Sequence, residues 1–192
     1  LEALGVNICL SKERLEDCLN EVGIAFLFAP ELHPAMKFAM PARKEIGKKT
    51  IFNILGPLSN PAGASHQLVG VYDDKWLNAL ANVLAKLGSA RTMVVHGEDG
   101  LDEISTTTNT KVCESSGSEI KCYSIDPEEF GFKRASLNDL RGGDTGQNAG
   151  ILRDILKGSK GAHRDIVVLN VDLRQQGVEA ERGALESGRL AR

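Results

Sequence analysis

The chain breaks abruptly at one place, and this break constrains it most. The strand-sized run Arg91 to Val95 ends in His96-Gly97-Glu98-Asp99-Gly100-Leu101-Asp102-Glu103-Ile104-Ser105. The run reads as a buried strand, and the residues after it read as a polar turn. Gly97 and Gly100 permit backbone conformations that residues with a Cβ resist. Four of the six residues Glu98 to Glu103 are carboxylates. Crowded carboxylates repel unless something positive sits among them. An oxygen-preferring cation such as Mg2+ is the natural partner, usually through one or two carboxylates with substrate phosphates. A solvated acidic loop satisfies the same pattern. A turn leaving an apolar strand, however, is where open α/β folds place their ligands.

The rest of the chain supports such a fold. Ser11 suits a helix N-cap. Leu15, Cys18, Leu19 and Val22 then fall at helical spacing before Gly23. Ile24 to Ala29 is apolar on both faces, as a central parallel strand would be. Pro34 suits the first turn of a new helix, Met36, Met40 and Ile46 its core side, and Pro41 a kink or an end. Thr50 to Leu55 reads as a short buried element entering a rigid Gly56-Pro57-Leu58-Ser59-Asn60-Pro61 loop. Gln67 to Tyr72 reads as a strand. Lys75 to Leu87 reads as a helix with Trp76, Leu80, Val83, Leu84 and Leu87 inward, closed by Gly88. Lys111–Glu114 and Glu119–Ser124 form a hairpin signal. Asp126 to Gly131 and Ser136 to Leu140 are short turns. Asp144 reads as the cap of a helix carrying Ile151, Ile155 and Leu156. Asp165 to Asn170 is a strand, or the opening of a helix. The alternation argues for an α/β fold, with a largely parallel sheet flanked by helices and a small antiparallel excursion.

Composition narrows the functional classes. With 192 residues, the chain can fill one core. A formal net charge of −3 gives no basic footprint for nucleic acid. No apolar run is long enough to span a bilayer. Cys9, Cys18, Cys113 and Cys122 have no paired-ligand spacing and read as reduced thiols of a cytoplasmic protein, neither a zinc site nor a disulfide framework. The chain opens on Leu1, mid-element, so an upstream part is expected to be missing.

Several segments together resemble the anthranilate phosphoribosyltransferases of tryptophan biosynthesis. They are His33-Pro34-Ala35-Met36-Lys37, Arg43, Thr50-Ile51-Phe52-Asn53 through Leu55-Gly56-Pro57-Leu58 to Asn60-Pro61-Ala62, and Val95-His96-Gly97 through Ile104-Ser105. Gly142-Gly143-Asp144, Asn148-Ala149 and Leu169-Asn170 continue the similarity. It covers residues 1–170, which would be the large α/β domain of a fold shared with nucleoside phosphorylases. The small helical domain would be absent. Residues 171–192, beginning Val171-Asp172-Leu173-Arg174, depart from the family as a charged segment.

The resemblance implies transfer of phosphoribose from phosphoribosyl pyrophosphate to the amine of anthranilate, with release of pyrophosphate. It assigns Asp102 and Glu103 to magnesium and Arg43 to the anthranilate carboxylate, with His33, Gly56 and Pro57 lining the anthranilate path. No acid or base is assigned. It places the glycine-rich phosphate loop upstream of Leu1, so the chain alone should be weak or inactive. It implies a homodimer in the full-length protein, with no nucleic-acid or membrane partner. A guanidinium holds a carboxylate in a bidentate fork that lysine cannot match. A related pyrimidine nucleoside phosphorylase and a non-enzymatic nucleic-acid-binding relative are the alternatives.

Overall fold

The computed structural model describes residues 1–48, 50 and 52–173, and only the main chain at Lys37, Met40, Arg43, Lys44 and Phe52. The chain divides into two compact units. One comprises Leu1–Pro61 with Gly143–Gly150, the other Ala62–Gly142 with Ile151–Arg192.

The first unit contains no strand among its described residues. Helix α1 (Lys12–Glu21) starts at Ser11, whose side chain accepts from the Arg14 amide, and ends before Gly23 at φ 82°. Only Leu15 of its expected apolar face is buried; Leu19 and Val22 are exposed. The short helices α2 (Ala29–Leu32), α3 (Met36–Ile46) and α4 (Phe52–Leu58) come next.

Three readings are corrected here. Residues 24–28 form no strand, and Ile24 and Phe26 are exposed. A strand needs a ladder partner for its N–H and C=O groups, and all the described strands pair within the other unit. Of the two alternatives for Pro41, the ending falls away, since Pro41 lies inside α3, and Ile46, expected on the core side, is exposed. Gly56 and Pro57, expected in a loop, belong to α4. Pro57 lies near the C-terminal end of this short helix, but its ring still removes one backbone donor.

The second unit is an α/β sandwich around a four-stranded sheet in the order β1 (His66–Gly70), β2 (Arg91–Gly97), β3 (Thr110–Ser116), β4 (Glu119–Ile125). β1 and β2 are parallel, as expected of strands joined through a helix. β2–β3 and β3–β4 are antiparallel, so the excursion read from the sequence makes up half of a mixed sheet.

Helix α5 (Leu77–Lys86) connects β1 to β2 and buries Leu77, Leu80, Ala81 and Leu84. Val83 and Leu87, expected inward, are exposed. A core cluster gathers Met93, Val95, Ile104, Val112 and Ile125 with Leu169 and Leu173. The last two lie on residues 162–173, which are helical (α7). The strand reading of Asp165 to Asn170 therefore gives way to its helical alternative, and the Asp165 amide donates to Gly161 O at 3.0 Å, one helical turn back.

Helix α6 (Thr145–Leu156) carries a reciprocal cap. Gln147 N donates to Asp144 Oδ1 at 2.9 Å, and Asp144 N donates to Gln147 Oε1 at 3.0 Å. This bears out Asp144 as a cap.

The cysteine reading is also corrected. Cys113 and Cys122 are opposite one another in the β3–β4 register and form a disulfide. Cys9 and Cys18 are free.

Candidate functional site around the acidic turn after β2

β2 is buried along most of its length, with Val94 and Val95 almost fully enclosed. Burying each such side chain contributes about 1.5–3 kcal/mol, which fixes the strand end from which the turn departs. Gly97 N donates to Leu101 O at 2.8 Å, and Gly100 N donates to Gly97 O at 2.8 Å. Gly100 has φ 93°, where a side chain would be strained. His96 Nδ1 donates to Val71 O at 2.8 Å, tying the residue after β1 to the end of β2.

The four carboxylates have three different fates. Asp99 turns inward. Its Oδ2 accepts from Ser105 Oγ at 2.6 Å and from Thr107 Oγ1, while Oδ1 accepts from Leu101 N at 3.0 Å. Burial pushes the Asp99 carboxyl upward, but these hydrogen bonds outweigh it and hold the group below its ordinary value. Glu98 adds negative field at Lys111, whose ammonium pairs with Asp74 at 2.6 Å.

Asp102 and Glu103 are what remains. Both are exposed, and neither makes an ion pair with a described residue. Glu103 reaches solvent, but the protein around it removes part of its hydration, and its carboxyl lies above its ordinary value. The neighbouring Asp102 charge adds to this effect. The next residue, Ile104, is fully buried in the core cluster.

The backbone of this acidic pair is held at two points by residues distant in sequence. A Cβ built on Gly70 would fall 1.6 Å from Asp102 O, so only glycine fits where β1 ends. From α7, Asn170 Oδ1 accepts from Ile104 N at 3.0 Å, and its Nδ2 donates to Ile104 O at 2.8 Å.

Among the described residues no group of three or more His, Cys, Asp or Glu could enclose a metal. Mg2+ does not require one, since it keeps several waters and binds through one or two carboxylates with substrate phosphates. Two adjacent carboxylates with no cationic partner among the described residues have the donor chemistry that such an ion takes.

The residues expected to hold anthranilate lie in the other unit. His33 is partly buried at the C-cap of α2, its N–H donating to Ala29 O at 2.9 Å. Arg43 lies on α3, and its side chain is outside the described part. Gly56 accepts through its carbonyl from Ser59 N at 3.1 Å. Among the described residues no hydrogen bond or ion pair joins His33, Gly56 and Pro57 to one another.

The chain resembles anthranilate phosphoribosyltransferases. It is 55% identical to that of Ruminiclostridium cellulolyticum over 170 residues, which is 88% of this chain and 50% of that protein. It is 49% identical to that of Persephonella marina, over 97% of this chain and 58% of that one. The crystal structure of the Thermus thermophilus enzyme superposes with a TM-score of 0.81 at 44% identity, over 88% of this chain and 50% of that one. The Saccharomyces cerevisiae enzyme in complex with phosphoribosyl pyrophosphate and Mg superposes at 0.80 with 28% identity, over 88% of this chain and 49% of that one. The chain thus spans about half the length of the relatives it matches. The family described as "Glycosyl transferase family, a/b domain" matches residues 1–178, and the chain belongs to that family.

Proposed function

We propose that this chain is the α/β portion of an anthranilate phosphoribosyltransferase, joining phosphoribose from phosphoribosyl pyrophosphate to the amine of anthranilate. The observation that carries this reading is the Asp102–Glu103 pair, adjacent carboxylates without a cationic partner among the described residues, in a chain 55% identical to such an enzyme. The yeast relative in complex with phosphoribosyl pyrophosphate and Mg supports magnesium as the ion.

Asp102 and Glu103 would hold Mg2+. When bound, the ion neutralises charge developing on the pyrophosphate leaving group. The ribose carbon gains positive character as that bond breaks, and the acidic turn favours it electrostatically. Asp99 stays out of the chemistry: it accepts hydrogen bonds from Ser105, Thr107 and Leu101, and it shapes the turn. Arg43 would grip the anthranilate carboxylate, with His33, Gly56 and Pro57 lining its approach. The amine is already a nucleophile, so catalysis rests on positioning and on charge, without a strong base. The protein functions in the cytoplasm and pairs as a homodimer in its full-length form. Residues 1–170 serve as the transferase domain, and α7 carries its core on to Leu173.

The test is a chimera that joins this chain to the remaining half of the Ruminiclostridium cellulolyticum relative. Loss of anthranilate fluorescence that requires both phosphoribosyl pyrophosphate and Mg2+ is the expected result. A folded chimera that consumes no anthranilate but cleaves thymidine with phosphate would overturn the reading in favour of a nucleoside phosphorylase.

A further inference from the structure

We propose that Asn170 is a positioning residue for the metal-holding pair. It sets the main-chain conformation at Asp102–Glu103 from a helix 66 residues further along the chain. This inference rests on the magnesium reading of that pair.

Asn170 uses its whole amide. Oδ1 accepts from Ile104 N at 3.0 Å, and Nδ2 donates to Ile104 O at 2.8 Å and to Ile166 O at 2.8 Å. The first two bonds copy the exchange that one strand residue makes with its partner. Ile104 belongs to no strand, so this side chain replaces a missing ladder. The third bond ties the same amide to the preceding turn of α7, which fixes its rotamer.

Two features show that the bonds bear on the carboxylates as well as on the core. First, Ile104 directly follows Glu103, so a rotation of the peptide between them moves the Glu103 carboxylate. Second, the segment is also limited at the preceding residue but one, because Asp102 O lies against Gly70 Cα with no room for even a methyl group. A segment abutted by main chain at Asp102 and hydrogen-bonded through both backbone groups of Ile104 has little room to shift. Leu169 and Leu173, buried beside Ile104, hold the helix that carries the amide. Asn170 touches neither carboxylate in any hydrogen bond and has no charge for a cation, so its influence passes through the Ile104 peptide.

The experiment uses the 192-residue chain and Mn2+ as the probe, with binding monitored by electron paramagnetic resonance. Melting temperature and amide hydrogen exchange at Ile104 are measured alongside. Asn170→Leu keeps the volume and removes all three bonds. Asn170→Gln restores the amide one methylene further out. Groups that orient metal-binding side chains typically change affinity by about 10–100-fold when removed. The expected result is a Mn2+ affinity lowered about tenfold or more in Asn170→Leu, partly recovered in Asn170→Gln. Ile104 exchange should accelerate while amides in β2 stay protected. If Asn170→Leu does not fold, Asn170→Gln against the unmutated chain carries the comparison by the same readouts.

A lowered melting temperature with unchanged Mn2+ affinity would overturn the proposal, because it describes a residue that stabilises the core alone. Failure of the unmutated chain to bind Mn2+ would overturn the metal reading and this proposal with it. Equal binding by all three chains overturns this proposal alone.

Discussion

Gly70 and Asp102 approach so closely that a Cβ on the glycine would lie 1.6 Å from the Asp102 carbonyl oxygen and 2.5 Å from its carbonyl carbon. The contact is with main chain, which cannot swing away as a side chain can. The end of β1 therefore limits where the acidic pair can be.

Gly70→Ala is expected to push the Asp102 peptide outward. Overpacking of this kind costs about 1–3 kcal/mol. Urea unfolding of the variant should show that loss. Mn2+ binding should weaken more than Asp102→Asn alone would predict, because both carboxylates move together. An unchanged urea midpoint would show that the turn relaxes without resistance.

Asp99 should make stability depend on acid. Its folded carboxyl lies below its ordinary value, so its contribution is present above the unfolded value of about 3.9. That contribution is lost as pH falls through the folded value. Asp99→Asn should destabilise the chain at pH 7 by about 1–3 kcal/mol, the range for leaving a hydrogen-bonding group without its partner. The variant and the parent should then converge in stability below about pH 4. Urea titrations across that range test this, and a constant difference between the two chains would oppose it.

Removing the two charges proposed to hold magnesium should separate stability from function. Folding raises the pKa of Glu103, so its ionised form opposes folding above the ordinary carboxylate range. Asp102→Asn with Glu103→Gln should therefore melt no lower, and slightly higher, than the parent at neutral pH in the absence of metal. The same variant in the active chimera should need far more magnesium. Unchanged magnesium dependence would remove the assignment.

The Cys113–Cys122 bond should stabilise the hairpin. Its residues are 9 apart in sequence, and closing a loop of that size contributes at most about 2–3 kcal/mol. Cys113→Ser with Cys122→Ser should lose part of this and should no longer respond to reductant. Thiol titration of the unreduced chain should find Cys9 and Cys18 alone.

How much is legible in the chain depends on the range of the interactions. Local patterns find Ser11, Asp144, the hairpin and the strand leading into the turn, because each depends on neighbours within a few residues. Contacts across many residues are not visible. Gly70 meets Asp102 from another strand, and Asn170 meets Ile104 from another helix. Neither leaves a mark in nearby sequence, although Leu169-Asn170 forms part of the family resemblance without a role attached. The run from Ile24 to Ala29 reads as a strand from its apolarity, which cannot report whether a ladder partner exists. Asp165 to Asn170 has the same ambiguity at a length where strands and helices look alike. The disulfide is hidden because scattered cysteines become opposed only once the hairpin register is known. Of the site itself, the residues alone point to four crowded carboxylates, and the resemblance singles out Asp102 and Glu103; neither reveals the hydrogen bonds that set Asp99 apart.

Ile104 has no accessible surface, yet it comes directly after two carboxylates that face water. The acidic pair is therefore bolted to the domain interior and cannot fray as an ordinary loop does. For it to come loose, the oily anchor behind it must first be pulled out. The lifetime of the ordered pair should then match that of the folded domain, and drift in the pair would report that the domain has opened.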